Sequence, residues 1–215
     1  MTGTGTRAGS IARRLAVAEF RQYGALRRWL LRRPDIPAGA TGFSYVGIVL
    51  PVLWAFIVVS ALEVVIVHIV VPWPTVRLVL DVLGVWGVLW MLGLTASLTV
   101  TPHLLDDEGL RIRNGVMTDV PVPWEAVTAV AVRQRARERS RAVQVDRDGD
   151  GVVLNVVAGG QTNVDITLRH PLEVELSSGS ERITAIRLHA DDPRGLVAAA
   201  RACLPRSQGA TPPPA

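Results

Sequence analysis

The stretch that decides the fold is VGIVLPVLWAFIVVSALEVVIVHIVV, residues 46–71, in which the ionisable side chains are Glu63 and His68 alone. Of its 26 residues, 18 are valine, isoleucine, leucine or phenylalanine. About 20 mostly apolar residues in a helix cross the roughly 30 Å of hydrocarbon in a bilayer. Each such side chain favours insertion by about 0.3–0.6 kcal/mol, whereas a central acid opposes it by about 3 kcal/mol. The run therefore predicts a membrane span.

A second apolar run follows at residues 78–100, with Asp81 as its one ionisable side chain. The connection VPWPTVR is short, so the two predicted spans, about 46–71 and 76–100, form a transmembrane hairpin covering residues 43–100. A signal peptide has an apolar core of about 7–15 residues after a short basic region. Here some 40 residues come first and the core is longer, so we expect the segment to stay in the protein.

The arginines predict the orientation of the hairpin. Residues 1–40 hold eight arginines against two acids, a net charge of +6, and the connection between the spans carries Arg77 alone. Basic flanks stay in the cytoplasm, so both termini are expected there, with Trp73 at one membrane interface and Phe43 and Tyr45 at the other. All 23 basic residues are arginine, a pattern typical of GC-rich bacterial genomes. We expect a multi-pass protein of the bacterial inner membrane.

The ionisable residues of the hairpin are expected at related depths. Counted from the turn, Glu63 lies roughly 13 Å, Asp81 roughly 10 Å and His68 roughly 6 Å deep. Arg77 is four residues before Asp81, on the same helix face. Intramembrane charge is functional by default, so Glu63, His68, Asp81 and Arg77 form a candidate polar cluster.

Three interpretations of this cluster remain open. The side chains are satisfied locally, Glu63 by His68 or Ser60 and Asp81 by Arg77. Alternatively they form a seam for helix packing or a homo-oligomer, where glycines of the second span allow close approach. The third interpretation is transport of protons or ions, which two spans achieve only as an oligomer.

Residues 1–42 form a basic arm. The stretch IARRLAVAEFRQYGALRRWLLRR, residues 11–33, has helical periodicity with an apolar side and an arginine-rich side. It predicts a helix lying on an anionic leaflet, through Arg14, Arg21, Arg28, Arg32 and Trp29. The alternative is that these charges only set the topology. Residues 1–9 and 205–215 are expected to be disordered.

Beyond the spans the hydrophobic period shifts toward two, which predicts strands over residues 101–204. In GLRIRNG, after the turn signal DDEG, Leu110 and Ile112 are expected on one face and Arg111 and Arg113 on the other. The stretch DDPRGLVAAARACL predicts a closing helix capped by Asp192. The fold class is thus α+β, a transmembrane hairpin followed by a small β-barrel or sandwich with a C-terminal capping helix.

The stretch VTPHLLDDEGLRIRNGVMTDVPVPWEAVTAV, residues 100–130, resembles the opening of bacterial PH-like domains attached to two N-terminal transmembrane helices. The closing ADDPRGLVAAARACL matches the capping helix of that family. The resemblance implies a PH-like cytoplasmic domain at residues 101–204 and membrane localisation. It implies no catalytic residues.

Two further motifs have competing interpretations. DRDGDG, residues 146–151, imitates a calcium loop, but Val157 stands at the twelfth position where glutamate is needed, so a hairpin turn is favoured. The run RQRARERSR, residues 133–141, is either a solvated loop or a contact for lipid or an acidic partner, through Arg133, Arg135, Arg137, Arg139 and Arg141. We find no metal, cofactor or catalytic constellation, and Cys203 is a lone thiol.

The functional expectation follows from this organisation. Residues 99–204 have thirteen arginines against fifteen acids, whereas nucleic-acid-binding domains carry basic charge in the folded part. The hypothesis is a docking or regulatory module, with no enzymatic activity, for a membrane or cytoplasmic protein partner. The alternatives are an oligomeric transporter or channel component using Glu63, His68 and Asp81, and anionic-lipid binding by the 133–141 run.

Overall fold

The computed structural model describes residues 24–116, 118–136, 141–148, 151–176 and 179–204. The chain divides into two compact units. The first contains the two long helices and, in its described part, residues 24–37, 44–103, 113–116 and 118–119. The second contains residues 38–43, 104–112 and the described part of 120–204.

The two long helices are α1, Leu50–Val70, and α2, Pro74–Val100. Each has a proline in its first turn. Backbone N–H groups there have no acceptor within the helix, so the N–H that proline lacks costs no hydrogen bond. Pro51 therefore lies at the start of α1 rather than at a kink within it. The predicted hairpin is confirmed at the level of two long apolar helices, with α1 beginning four residues later than the apolar run.

Both helices are long and apolar enough to cross a membrane. In an apolar stretch of 18 residues taken from each helix, only 6% of the stretch in α1 and 11% of that in α2 is buried within the protein. The core helix of a water-soluble domain is mostly buried, because its apolar face packs on its neighbours. Here the large apolar side chains point outward along most of both helices.

The two helices pack closely at Gly84. A Cβ atom at this position would lie 2.5 Å from Cγ2 of Val64 on α1, which is inside van der Waals contact. Gly87, one turn further along α2, has no such neighbour within 4 Å. The two glycines therefore differ: Gly84 leaves room for the side chain of Val64, and Gly87 faces open space.

The strands form two sheets. The four-stranded sheet has the order β1-β2-β3-β4, with β1 Thr41–Phe43, β2 His103–Leu105, β3 Gly109–Asn114 and β4 Thr118–Pro123. The five-stranded sheet has the order β5-β8-β9-β7-β6, with β5 Val127–Ala136, β6 Val143–Asp148, β7 Gly151–Val156, β8 Gln161–Leu176 and β9 Gly179–Leu188. Strand β7 pairs parallel to β9, whereas β5–β8, β8–β9 and β6–β7 are antiparallel.

One hydrophobic core fills the second unit. It joins Leu110 and Val120 of the first sheet to Ile166 and Ile186 of the second, and to Leu196 of the closing helix α3, Pro193–Cys203. The described strands make two separate sheets and no closed barrel. Of the two predicted architectures, the barrel is therefore wrong, because hydrogen bonding stops at the edges of each sheet.

The turn between β2 and β3 and the closing helix lie where the local sequence motifs predict them. Oδ1 of Asp106 accepts hydrogen bonds from the backbone N–H groups of Glu108 and Gly109, both at 3.0 Å. A Cβ on Gly109 would meet the carbonyl oxygen of Val122 at 2.3 Å, so the close approach of β4 requires glycine here. Asp192 accepts from the N–H of Gly195 at 2.9 Å and caps α3.

Candidate functional site

The predicted polar cluster of the hairpin separates into parts. Nδ1 of His68, in the last turn of α1, lies 2.7 Å from Oδ2 of Asp81 on α2. The expected Arg77–Asp81 pair is not formed, because Asp81 faces the neighbouring helix and binds His68 there. The other carboxylate oxygen of Asp81 is buried, and no described residue hydrogen-bonds it.

Glu63 lies apart from the His68–Asp81 pair. It lines a groove of about 550 Å³ between the two helices, together with Ser60, Gly84, Gly87 and other residues of both helices. Its side chain is exposed, and within the described part of the chain it has no hydrogen-bond or ion-pair partner. The local pairing of Glu63 with His68 or Ser60 is therefore absent from this structure.

The arm is described from residue 24, so Arg14 and Arg21 lie outside the described residues. Residues 24–30 are helical, and Arg32 ends the helix with a left-handed backbone, φ 51°. The N–H of Arg33 donates to the carbonyl of Arg28 at 2.9 Å, which satisfies an end carbonyl of the helix. The ring centroids of Trp29 and Trp54 are 6.2 Å apart, so this helix contacts α1.

Asp35, directly after this turn, connects three segments of the first unit. Its carboxylate lies 2.6 Å from Nη1 of Arg28 and 2.5 Å from Nη2 of Arg113. Its backbone N–H donates to the carbonyl of Val100 at 2.8 Å, and its own carbonyl accepts from Arg113 at 2.9 Å. We call Arg28, Asp35, Val100 and Arg113 the Asp35 clasp. It ties the arm to the end of α2 and to the end of β3.

A buried aromatic pair lies in the same unit. The rings of Tyr45 and His103 stack with centroids 4.7 Å apart, and the two residues are 4% and 0% exposed. The N–H of Gly115 donates to the Tyr45 hydroxyl at 2.7 Å, and the N–H of Arg113 donates to Nδ1 of His103 at 3.1 Å. Because Nδ1 accepts a hydrogen bond, it carries no proton, and His103 is neutral in this arrangement.

Burial sets the acidity of the tyrosine. Removal from water raises the pKa of Tyr45 above its ordinary value, and the hydrogen bond from Gly115 offsets part of that rise. The Tyr45–His103 stack and the Asp35 clasp share Arg113, whose side chain binds Asp35 and whose backbone binds His103. Arg113 thus connects the arm to the end of β3 through its two contacts.

Sequence reasoning missed this centre. Strict alternation placed Arg113 on the exposed face with Arg111, but Arg113 is buried and Arg111 exposed. Tyr45 was expected at the membrane interface and is buried instead. Asp35 was available as a signal, since it is an isolated acid in the described arm and follows Pro34 at the end of a basic helix.

The arginine run of residues 133–141 starts on a strand rather than in a loop. Arg133 and Arg135 lie on β5, an edge strand whose register is irregular at this point. Nη2 of Arg135 lies 3.2 Å from Oδ2 of Asp165, so this arginine is engaged across the sheet. Arg133 and Arg141 are exposed. Arg137 and Arg139 are outside the described residues.

The calcium-loop imitation lies between paired strands. Strands β6 and β7 pair in register from Val143 opposite Val156 to Asp148 opposite Gly151, which agrees with a hairpin connection. In the described part of the chain, no group of three or more His, Cys, Asp or Glu side chains is placed to hold a metal ion.

Neither a protein-family model, nor a curated protein, nor a solved structure matches this chain.

Proposed function

We propose that this protein is a multi-pass protein of the bacterial inner membrane whose cytoplasmic PH-like domain is a docking or regulatory module for a protein partner. The observation that carries the proposal is the contrast between the units. The apolar surfaces of α1 and α2 are exposed along most of their length, while the sheets bury a core of their own. A bilayer is the solvent that makes such exposed helices stable.

Connectivity supports a hairpin topology. Strand β1 precedes α1, strand β2 follows α2, and both strands belong to one sheet. The two flanks of the hairpin then lie on the same side of any bilayer that it crosses. The arginines of the arm favour the cytoplasmic side.

The PH-like assignment is supported by the order of the elements. Two sheets of four and five strands enclose one core, and a capped helix follows the last strand. The stretch that resembles PH-like domains, residues 100–130, covers β2 to β4 and the first part of β5.

A regulatory role is supported by the Asp35 clasp. Within the clasp, Arg113 is the penultimate residue of β3, and Arg28 belongs to the arm helix. An event that moves the arm, such as partner binding, changes the hydrogen bonds at the end of β3. The partner of such a module is a membrane or cytoplasmic protein.

Two measurements test the proposal. Carbonate-washed membranes from expressing cells are expected to retain the protein, and a fluorescent reporter fused to its C-terminus is expected to lie in the cytoplasm. Recovery of the protein in the supernatant without detergent, or a periplasmic C-terminus, contradicts the topology. In-cell crosslinking of the full chain then identifies the partner, with Asp35→Asn as the variant in which the crosslink should weaken.

A second candidate function is an oligomeric transporter or channel component. It is favoured by the groove that Glu63 lines and by the contact between His68 and Asp81 across the helices. Proton or ion flux into vesicles containing the wild type, absent in Glu63→Ala, would support transport. A docking module gives no flux in either protein.

A further inference from the structure

A groove lies where the arm meets the last turn of α2. It has a volume of about 520 Å³, and it is lined by Trp29, Leu30, Arg32, Arg33, Pro34, Thr99 and Val100. All of these residues belong to the first unit. Thr99 and Val100 are the last residues of a candidate membrane span. Because the 27 residues of α2 span about 40 Å, more than the roughly 30 Å of hydrocarbon, the groove at its end is expected in the headgroup layer.

The positive charge in this groove is available to a ligand. Arg28 is engaged by Asp35, but neither Arg32 nor Arg33 has a carboxylate partner among the described residues. Both are exposed and both line the groove. Two guanidinium groups at one site match the oxygens of a phosphate, which arginine binds with paired hydrogen bonds.

Apolar surface lies beside this charge. Leu30 and Leu31 are 77% and 60% exposed, and Trp29 packs near Trp54 at the start of α1. Tryptophan side chains are enriched at the boundary between headgroups and hydrocarbon. The groove thus combines anion-binding groups with an apolar surface. This combination is complementary to an amphiphile with an anionic headgroup and a hydrocarbon chain.

We propose that this groove is a binding site for one anionic phospholipid of the leaflet in which α2 ends. Its phosphate binds Arg32 and Arg33, and its acyl chain lies along Leu30, Trp29 and Val100. The inference rests on the proposed membrane hairpin. It differs from a general attraction of a basic arm to an anionic surface, because it assigns a single lipid to named residues.

The test uses the full-length protein, purified in a non-ionic detergent with phosphatidylglycerol and phosphatidylcholine present in equal amounts. Native mass spectrometry counts the lipids that remain bound. Wild type is expected to retain one phosphatidylglycerol. Arg32→Gln/Arg33→Gln is expected to retain it about a hundredfold less, since each of the two lost charged hydrogen bonds weakens binding roughly tenfold. The matched control is Arg27→Gln/Arg169→Gln, which removes two exposed arginines outside the groove and should retain lipid like the wild type.

Three outcomes would overturn the site. Equal loss in the control variant means attraction by overall charge, equal retention of phosphatidylcholine means no headgroup selection, and displacement by inorganic phosphate alone means a free anion rather than a lipid. If the double variant aggregates, Arg33→Gln alone against Arg27→Gln gives the same comparison. A protein that stays soluble without detergent fails the proposed function instead, so the two failures are distinguishable.

Discussion

The carboxylate of Asp35 and the guanidinium of Arg113 lie 2.5 Å apart, although 78 positions separate them in the chain. The side chain of Arg113 is 8% exposed and that of Asp35 is 41% exposed. The more buried partner is therefore the cation. Its guanidinium donates hydrogen bonds to the carboxylate and to the backbone carbonyl of Asp35.

Asp35→Asn tests the importance of this contact. We expect the free energy of unfolding to fall by about 1.5–3 kcal/mol, because the buried guanidinium loses a charged hydrogen-bond acceptor. Thermal unfolding of the full chain in detergent measures the change. Asp107→Asn is the matched control, since Asp107 is exposed and has no described partner. An equal effect of both substitutions would mean that the clasp contributes nothing specific.

Gly84 and Gly87 provide a second comparison. Gly84→Ala is expected to destabilise the helix pair by about 1–3 kcal/mol, because the new methyl group overlaps the stiff, β-branched Val64. Gly87→Ala is expected to be neutral, since that position faces open space. Unfolding of each variant in detergent micelles, monitored by circular dichroism, measures the change. Adding Val64→Ala to Gly84→Ala should restore most of the loss, and failure to do so contradicts the predicted contact.

Alkaline titration examines Tyr45. The chain has two tyrosines and no lysine, so phenolate absorbance is easy to assign. Because burial raises the pKa of Tyr45, its ionisation is expected at higher pH than that of an exposed tyrosine, whose pKa is about 10. The stabilising effect of the neutral phenol is present below about pH 10 and is lost as the pH rises through the raised pKa. Tyr45→Phe should remove the late absorbance step.

Acid titration examines His189, in the second unit. Burial lowers the pKa of His189 below its ordinary value of about 6.5, although the nearby Asp191 offsets part of that shift. The contribution of the neutral ring to stability is present above about pH 6.5 and is lost as the pH falls through the lowered pKa. His189→Gln is expected to flatten the dependence of the melting temperature on pH below that point. His170→Gln, at an exposed position, should behave like the wild type.

The elements that sequence predicted well are those with a local cause. Apolar run length fixed the two helices, and Asp106 and Asp192 fixed a turn and a helix start through contacts within three residues. Periodicity also placed Leu110 and Ile112 in the core. Each of these features follows from residues that are neighbours in the chain.

The features that sequence missed depend on distant neighbours. Alternation describes a strand with one face in solvent, so it failed for Arg113 where β3 ends in the Asp35 clasp. The pairing of Asp81 with His68 instead of Arg77 depends on how two helices face each other. Strand β1 has three residues, which is too few to produce a recognisable period.

Strand β1 has a consequence for how the chain is made. The ribosome releases Thr41–Phe43 before the helical hairpin, and its hydrogen-bonded neighbour, His103–Leu105, after it. Strand β1 therefore cannot pair with β2 until both helices have been synthesised. A fragment that begins at residue 101 lacks its outermost strand and exposes an unpaired edge, which invites aggregation.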